Sequence, residues 1–342
     1  MTMKFSKTEL LSGQYALLTH AQARAAGLSR ATIRNAIKQR RWQVVLPAVY
    51  ATSNRELTDD DRLYAAVLYG GPSSVITGAA ACTRHGLHYV PTDPYVRLAV
   101  PATARPSSHA FVRVTCTRRL PEPVLWVPGP ASPAVATNMT VPLAPLARAA
   151  LDSARDVGLE VTRTVPHLSN GRPVLSASGA RVHYDHALRA VRALICEAAQ
   201  PGLASTEDLV RELEEGPRHG SALARRAIDD VVAGCRSAPE CELRDLLALS
   251  DVLPPAVFNE LIPGLRRLRP DACWPVRRLI VEIDSAEWHR RGDAYERTEQ
   301  RRAYLASQGW IVIPVSPQRL RACPHEVLAE IEAAYLAAPV AA

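Results

Sequence analysis

Leu279-Ile-Val-Glu-Ile-Asp284 sets the tightest limit on what this chain can fold into. Four aliphatic residues in six read as a strand too apolar for an exposed sheet edge. Side chains alternate across a strand, so Glu282 and Asp284 share one face while Ile283 points the other way, into apolar packing. A carboxylate inside such a strand is costly to bury without compensation. Around this run, the order from residue 236 reads α-β-β-β-α-β-α. Helix 237–249 is capped by Ser237, and strands 256–262, 268–274 and 277–284 follow, with a hairpin turn at Gly264. Helix 295–308, strand 310–315 and helix 324–336 complete the set.

The acids then converge. Pro270-Asp271 in the neighbouring strand brings Asp271 to the edge that carries Glu282 and Asp284. Glu240 or Glu242, near the start of the preceding helix, can join them. Glu240 is preferred because it shares a face with Leu243 and Leu247 and so aims at the sheet. Three or four clustered carboxylates call for a cation, and hard oxygen ligands suit Mg²⁺ or Mn²⁺. Such an ion activates water and stabilises charge on a scissile phosphate. Blander roles stay open: Asp271 after proline can shape a turn, and Asp293 can cap the helix near Tyr295.

Pro270-Asp271 followed by Glu282-Ile-Asp284 resembles the PD-(D/E)xK nuclease superfamily. The extension Ile283-Asp-Ser-Ala-Glu-Trp-His289, with Asp293, Arg297, Arg301 and Gly309-Trp-Ile-Val, is similar to its very-short-patch-repair (Vsr)-like branch. The resemblance implies a restriction-endonuclease-like αβββαβα domain in which Asp271 and Glu282 bind the metal and Glu240 helps through water. It also implies His289 as acid/base, with Arg297 and Arg301 steadying a phosphate. Asp284 stands where the superfamily usually has lysine, which leaves open which group activates water, and whether the fold keeps its chemistry. His289 beside two arginines, and Arg297 and Arg301 on a helix, also read as solvated surface charges.

Charge is placed unevenly. Net charge is +7, from 41 basic and 34 acidic residues. Residues 1–55 hold nine basic residues and one acid, residues 56–235 hold 18 of each, and residues 236–342 hold 14 and 15. The whole excess therefore lies at the amino-terminal end, the footprint of a polyanion-binding module. There, residues 14–19 read as a short helix and 19–26 as an alanine-rich helix that Thr19 can cap. Gly27 is the break, and 30–40 is a helix that Ser29 can cap. Ile33, Ala36 and Ile37 form its inward stripe, leaving Arg30, Arg34, Asn35, Lys38 and Arg41 toward solvent or a ligand. Residues 42–51 are β-prone, with a turn at Pro47. This is the build of a winged helix-turn-helix that reads double-stranded DNA in the major groove. A small protein–protein module with a basic face is the other reading.

Leu17-Leu-Thr, Gly27-Leu-Ser-Arg-Ala-Thr-Ile33, Trp42 and Pro47-Ala-Val-Tyr50 resemble the winged helix of AbiEi-type antitoxins and related actinobacterial regulators. That likeness covers about 50 residues. It implies duplex DNA binding, often autoregulatory, and leaves a toxin partner and a homodimer on symmetric sites open.

The chain so read is α/β and multidomain: a winged helix-turn-helix head 1–55, an antitoxin-like α+β scaffold 56–155, a helical linker 156–235 and the nuclease-fold domain 236–342. In the scaffold, 62–69 and 76–84 read as helices, 95–100 and 110–116 as strands, and 143–154 as a helix. Residues 158–185 read as irregular, with helices at 187–199, 206–215 and 221–233. His183-Tyr-Asp-His186 reads as an incidental polar cluster. No apolar run approaches the ~18 residues of a membrane span, and the first residues lack the apolar core of a secretory signal. Seven cysteines without a CxxC pair fit reduced thiols in cytoplasm. Two functions follow: a DNA endonuclease, or a DNA-binding regulator whose nuclease-fold domain is inactive.

Overall fold

The structure, a computed structural model, describes residues 16–339 apart from 105, 128–139, 167, 169–172, 177–178, 263–264, 266–267 and 285–292. Those residues form a mixed α/β chain with twelve helices and eleven strands in three sheets. Among them no helix is long and apolar enough to cross a membrane. The chain makes two compact units: Met1–Arg163 with Arg211–Ser221, and Thr164–Val210 with Ala222–Ala342.

The first unit begins with β1 (Leu17–Thr19), α1 (His20–Ala25), α2 (Arg30–Lys38), β2 (Gln43–Leu46) and β3 (Val49–Ala51). The helix expected over 14–19 is instead, where described, strand β1. Leu17 to Thr19 pair antiparallel with Ala51 to Val49, and that pairing with complete burial of Leu18 outweighs local helix preference. The three strands lie in the order β1-β3-β2. Thr19 caps α1 in a reciprocal box with Gln22, and the Ser29 hydroxyl accepts from Thr32 N at 3.0 Å to start α2. Between them Gly27 takes φ 87°, open to glycine at little cost. Leu18, Ala23, Leu28, Ile33, Ala36 and Trp42 close a small core beneath.

Helix α3 (Asp59–Gly70), capped by Thr58 and Asp61, packs on strands of this sheet and of a second one. The boundary read at residue 55 thus falls inside one compact unit. The second sheet holds β4 (Val75–Thr77), β5 (Val96–Pro101), β6 (Val112–Thr117), β7 (Val124–Trp126) and β8 (Val141–Leu143), in the order β6-β5-β4-β8-β7. The segment read as one helix from residue 76 is split. Val75–Thr77 is a buried strand, and α4 (Gly78–Arg84) starts only at Gly78, whose φ of 66° turns the chain. Helix α5 (Leu146–Thr164) runs well past residue 154, into the stretch read as irregular. It buries Arg148 and Asp152, which bond to each other at 2.9 Å, with Thr77 donating to Asp152 at 2.7 Å.

The second unit includes α6 (Ala180–Ala198), which starts inside the other end of that stretch. After α7 (Thr206–Glu215) come α8 (Ala222–Val232) and α9 (Ala238–Leu247). Helix α6 packs on α8 and α9. Its buried Arg192 bonds Asp230 at 2.8 Å and Asp245 at 2.7 Å, so each charge is paired. Beyond lie β9 (Ala272–Trp274), β10 (Leu279–Ile283), α10 (Asp293–Ser307), β11 (Ile311–Val315), α11 (Pro317–Ala322) and α12 (Pro324–Ala337). Strand β10 is central, antiparallel to β9 and parallel to β11. Leu279, Val281 and Ile283 meet α9 and α12 on one face, while Ile280 meets Leu305 of α10 on the other. Pro314, lacking an N–H, lies on the edge strand β11.

One expected strand is reduced. Residues 256–262 make a single antiparallel bridge, Val257 to Cys273, because Asn259 takes φ 52° and breaks the register. The Gly264 turn lies outside the described residues. Pro270 and the turn Pro275–Arg277 trim the two following strands to β9 and β10. Helix α11 was not expected from the sequence.

Candidate active site

The β9–β10 register pairs Ala272 with Val281, so one step further Asp271 stands opposite Glu282. Asp271 Oδ2 also accepts from Ile283 N at 2.7 Å, continuing the ladder with a side chain while the Pro270 carbonyl accepts from Asn259 N. Ile283 meanwhile turns into the aliphatic cluster of α9 and α12. The alternation read from residues 279–284 thus brings Asp271 and Glu282 to one face, the face covered by α10. They open, with Asp284, on a cavity of about 220 Å³.

Helix α10 answers with cations. Arg301 Nη2 donates to Glu282 Oε1 at 2.7 Å, and Arg302 Nη2 donates to Asp284 Oδ2 at 2.9 Å. Thr298, Arg301, Arg302 and Leu305 all line the cavity. Arg302 and Thr298 had no assigned role in the sequence reading. Their signal was there: 298, 301, 302 and 305 follow the i, i+3, i+4, i+7 pattern of one helical face.

Electrostatics mark Asp271 most strongly. Burial, with Glu240 and Glu282 nearby, pushes its carboxyl up to about 7, against the Ile283 hydrogen bond and Arg301. Burial also raises Glu282, while the Arg301 and Arg302 guanidiniums oppose it. Glu240 is therefore near, but its oxygens are occupied. Oε2 accepts from Arg236 N at 2.9 Å and Asn259 Nδ2 at 2.6 Å, and Oε1 from Ser237 Oγ at 2.8 Å. Asn259 in turn donates its N–H to Pro270 O at 2.9 Å, so Glu240 anchors the segment before Asp271.

Among the described residues no group of three or more His, Cys, Asp or Glu is arranged to hold a metal. The donor set still fits a weakly held hard cation. Asp271 and Glu282 each have one carboxylate oxygen without a hydrogen bond from a described residue, and Mg²⁺ is commonly held by two carboxylates and several waters. His289 lies outside the described residues, and so does the side chain of Arg297.

At the other end of the sequence Arg30, Arg34, Asn35, Lys38 and Arg41 are all exposed. The first four lie on α2 away from its buried Ile33 and Ala36, and Arg41 follows the helix. Among the described residues none of the four cations has an ion-pair partner. Arg41 Nε donates to the neutral Gln39 side chain at 3.1 Å.

No family model matches this sequence. The chain is similar to two curated proteins of Mycobacterium tuberculosis strains, "Uncharacterized protein MT2308" and "Uncharacterized protein Rv2248". Each is 31% identical over 120 residues, which is 34% of this chain and 44% of the relative. The chain thus spans less than half the length of the curated relatives it matches.

Proposed function

We propose that this chain binds duplex DNA through its amino-terminal helix-turn-helix and hairpin, read as a winged helix, and hydrolyses DNA phosphodiesters at the cavity of the second unit. The observation that carries the catalytic half is the pairing of Asp271 with Glu282 on adjacent strands at a cavity shared with Arg301, Arg302 and Thr298. Apart from the strand reduced to a bridge at Val257 and the added α11, the order α9, β9, β10, α10, β11, α12 supports a PD-(D/E)xK-like domain of the Vsr-like kind. Mg²⁺ or Mn²⁺ held by Asp271 and Glu282 would supply an acidic bound water and a counter-charge for the scissile phosphate. Arg301, Arg302 and Thr298, which line the cavity, would hold phosphate oxygens, and Leu305 gives it an apolar wall. His289 remains the assigned acid/base. The exposed cations of α2, without an ion pair among the described residues, support the DNA-binding half.

A second reading, a regulator with an inactive nuclease-fold unit, draws on the engagement of Glu282 by Arg301 and on the full set of bonds at Glu240. Supercoiled plasmid incubated with Mg²⁺ or Mn²⁺ separates the two. Metal-dependent nicking should fall by roughly two orders of magnitude in Glu282→Gln. Absence of cleavage on plasmid, mismatched duplex and single strand alike would leave the regulator.

A further inference from the structure

Glu282 is a carboxylate in an otherwise aliphatic strand, and its compensation comes from Arg301. The hold is partial. Arg301 makes one short bond, to Glu282, and one long contact of 3.5 Å to Arg269 O. Its Nε is shut off from solvent with no hydrogen-bond partner. The side chain as a whole is 40% exposed, so it can swing without unpacking the core. Its neighbour differs: Arg302 is held by Asp284 at 2.9 Å and by Glu299 at 3.1 Å.

We propose that Arg301 is a resident counter-charge on Glu282 that competes with a divalent cation for that carboxylate, and that its displacement hands the guanidinium to a DNA phosphate. This rests on the reading of the cavity as a metal-dependent hydrolytic site. A dication beside Glu282 repels a guanidinium at bonding distance, and Arg301 then needs an anion. The cavity it lines is where a phosphate would enter. Cation and DNA backbone therefore bind cooperatively, and by linkage each raises the affinity of the other equally. Without DNA, Arg301 weakens the hold of the site on metal.

Mn²⁺ binding to the full chain, followed through the EPR signal of the free ion, reads this directly without turnover. Arg301→Gln should bind Mn²⁺ roughly tenfold tighter than wild type in the absence of DNA. Arg301→Lys, which keeps the charge but not the planar fork, should lie between. Arg302→Gln removes an equal charge from the same cavity and should change affinity much less. A short duplex should tighten Mn²⁺ binding to wild type more than to Arg301→Gln, which keeps only the direct attraction between ion and phosphate. If Arg301→Gln binds no tighter than Arg302→Gln while Glu282→Gln abolishes binding, the competition is overturned and the metal site stands. If no Mn²⁺ binding depends on Glu282, the inference and the hydrolytic reading fall together.

Discussion

Asp156, on α5, shows what a single residue carries that its sequence neighbours hide. Arg97 of β5 bonds Asp93 at 2.6 Å and reaches Asp156 at 3.2 Å, so two carboxylates share one guanidinium. Burial pushes Asp156 up to about 6, with Asp93 and Asp152 adding to the rise and Arg97 and Arg155 opposing it. A carboxylate with a raised folded pKa binds protons in the native state that the unfolded chain has already released. Between about pH 4 and 6 this group therefore makes stability fall as pH rises. Asp156→Asn should flatten that slope, by on the order of 1–3 kcal/mol across the window, read from denaturation midpoints at each pH. Nothing in residues 150–160 announces this, because the partner guanidinium comes from a distant strand. Asp271 and Glu282 are the opposite case. The two-residue period of 279–284 and the Pro-Asp pair ahead of it placed both correctly, since alternation is a local property of strands.

At the scale of elements, α5 was read only as far as residue 154, and Gly158 lies in the part that was missed. In the structure it is an approach point: a Cβ there would lie 2.0 Å from the carbonyl oxygen of Gly220. Gly158→Ala should thus destabilise the first unit by about 1–3 kcal/mol or more through overpacking, although alanine is the better helix former. Urea unfolding of the variant checks the sign; a neutral or stabilising result would mean that the Gly220 loop moves aside freely. The caps of α1 and α2 were legible, because Thr19 and Ser29 each satisfy amides within their own first turn. Strand β1 and the lost strand at 256–262 were not. The first exists through its pairing with β3, and the second fails through a positive φ at Asn259 that serves Glu240 and Pro270.

For the whole molecule, the governing quantity is where charge sits. The amino-terminal 55 residues carry the entire net positive charge, whereas in the second unit Arg192, Arg301 and Arg302 are each ion-paired. The proposed duplex binding through α2 should therefore weaken steeply with salt. Replacing Arg34 and Lys38 together by glutamine should lower the slope of log affinity against log salt by about 2. Fluorescence anisotropy of a labelled duplex over a salt series measures it. An unchanged slope would move the DNA contact away from α2.

By itself the sequence determined the alternation that sets carboxylates on one face of β10, the helix starts, the inward stripe of α2 and the uneven charge. Each of these depends on residues a few positions apart. Only the tertiary structure decided that Arg301 answers Glu282, that Glu240 is spent on Asn259 and a backbone amide, and that a glycine in α5 meets a glycine loop. Those contacts join residues remote along the chain, and an ion pair or a close approach is fixed by through-space distance, which no local pattern records.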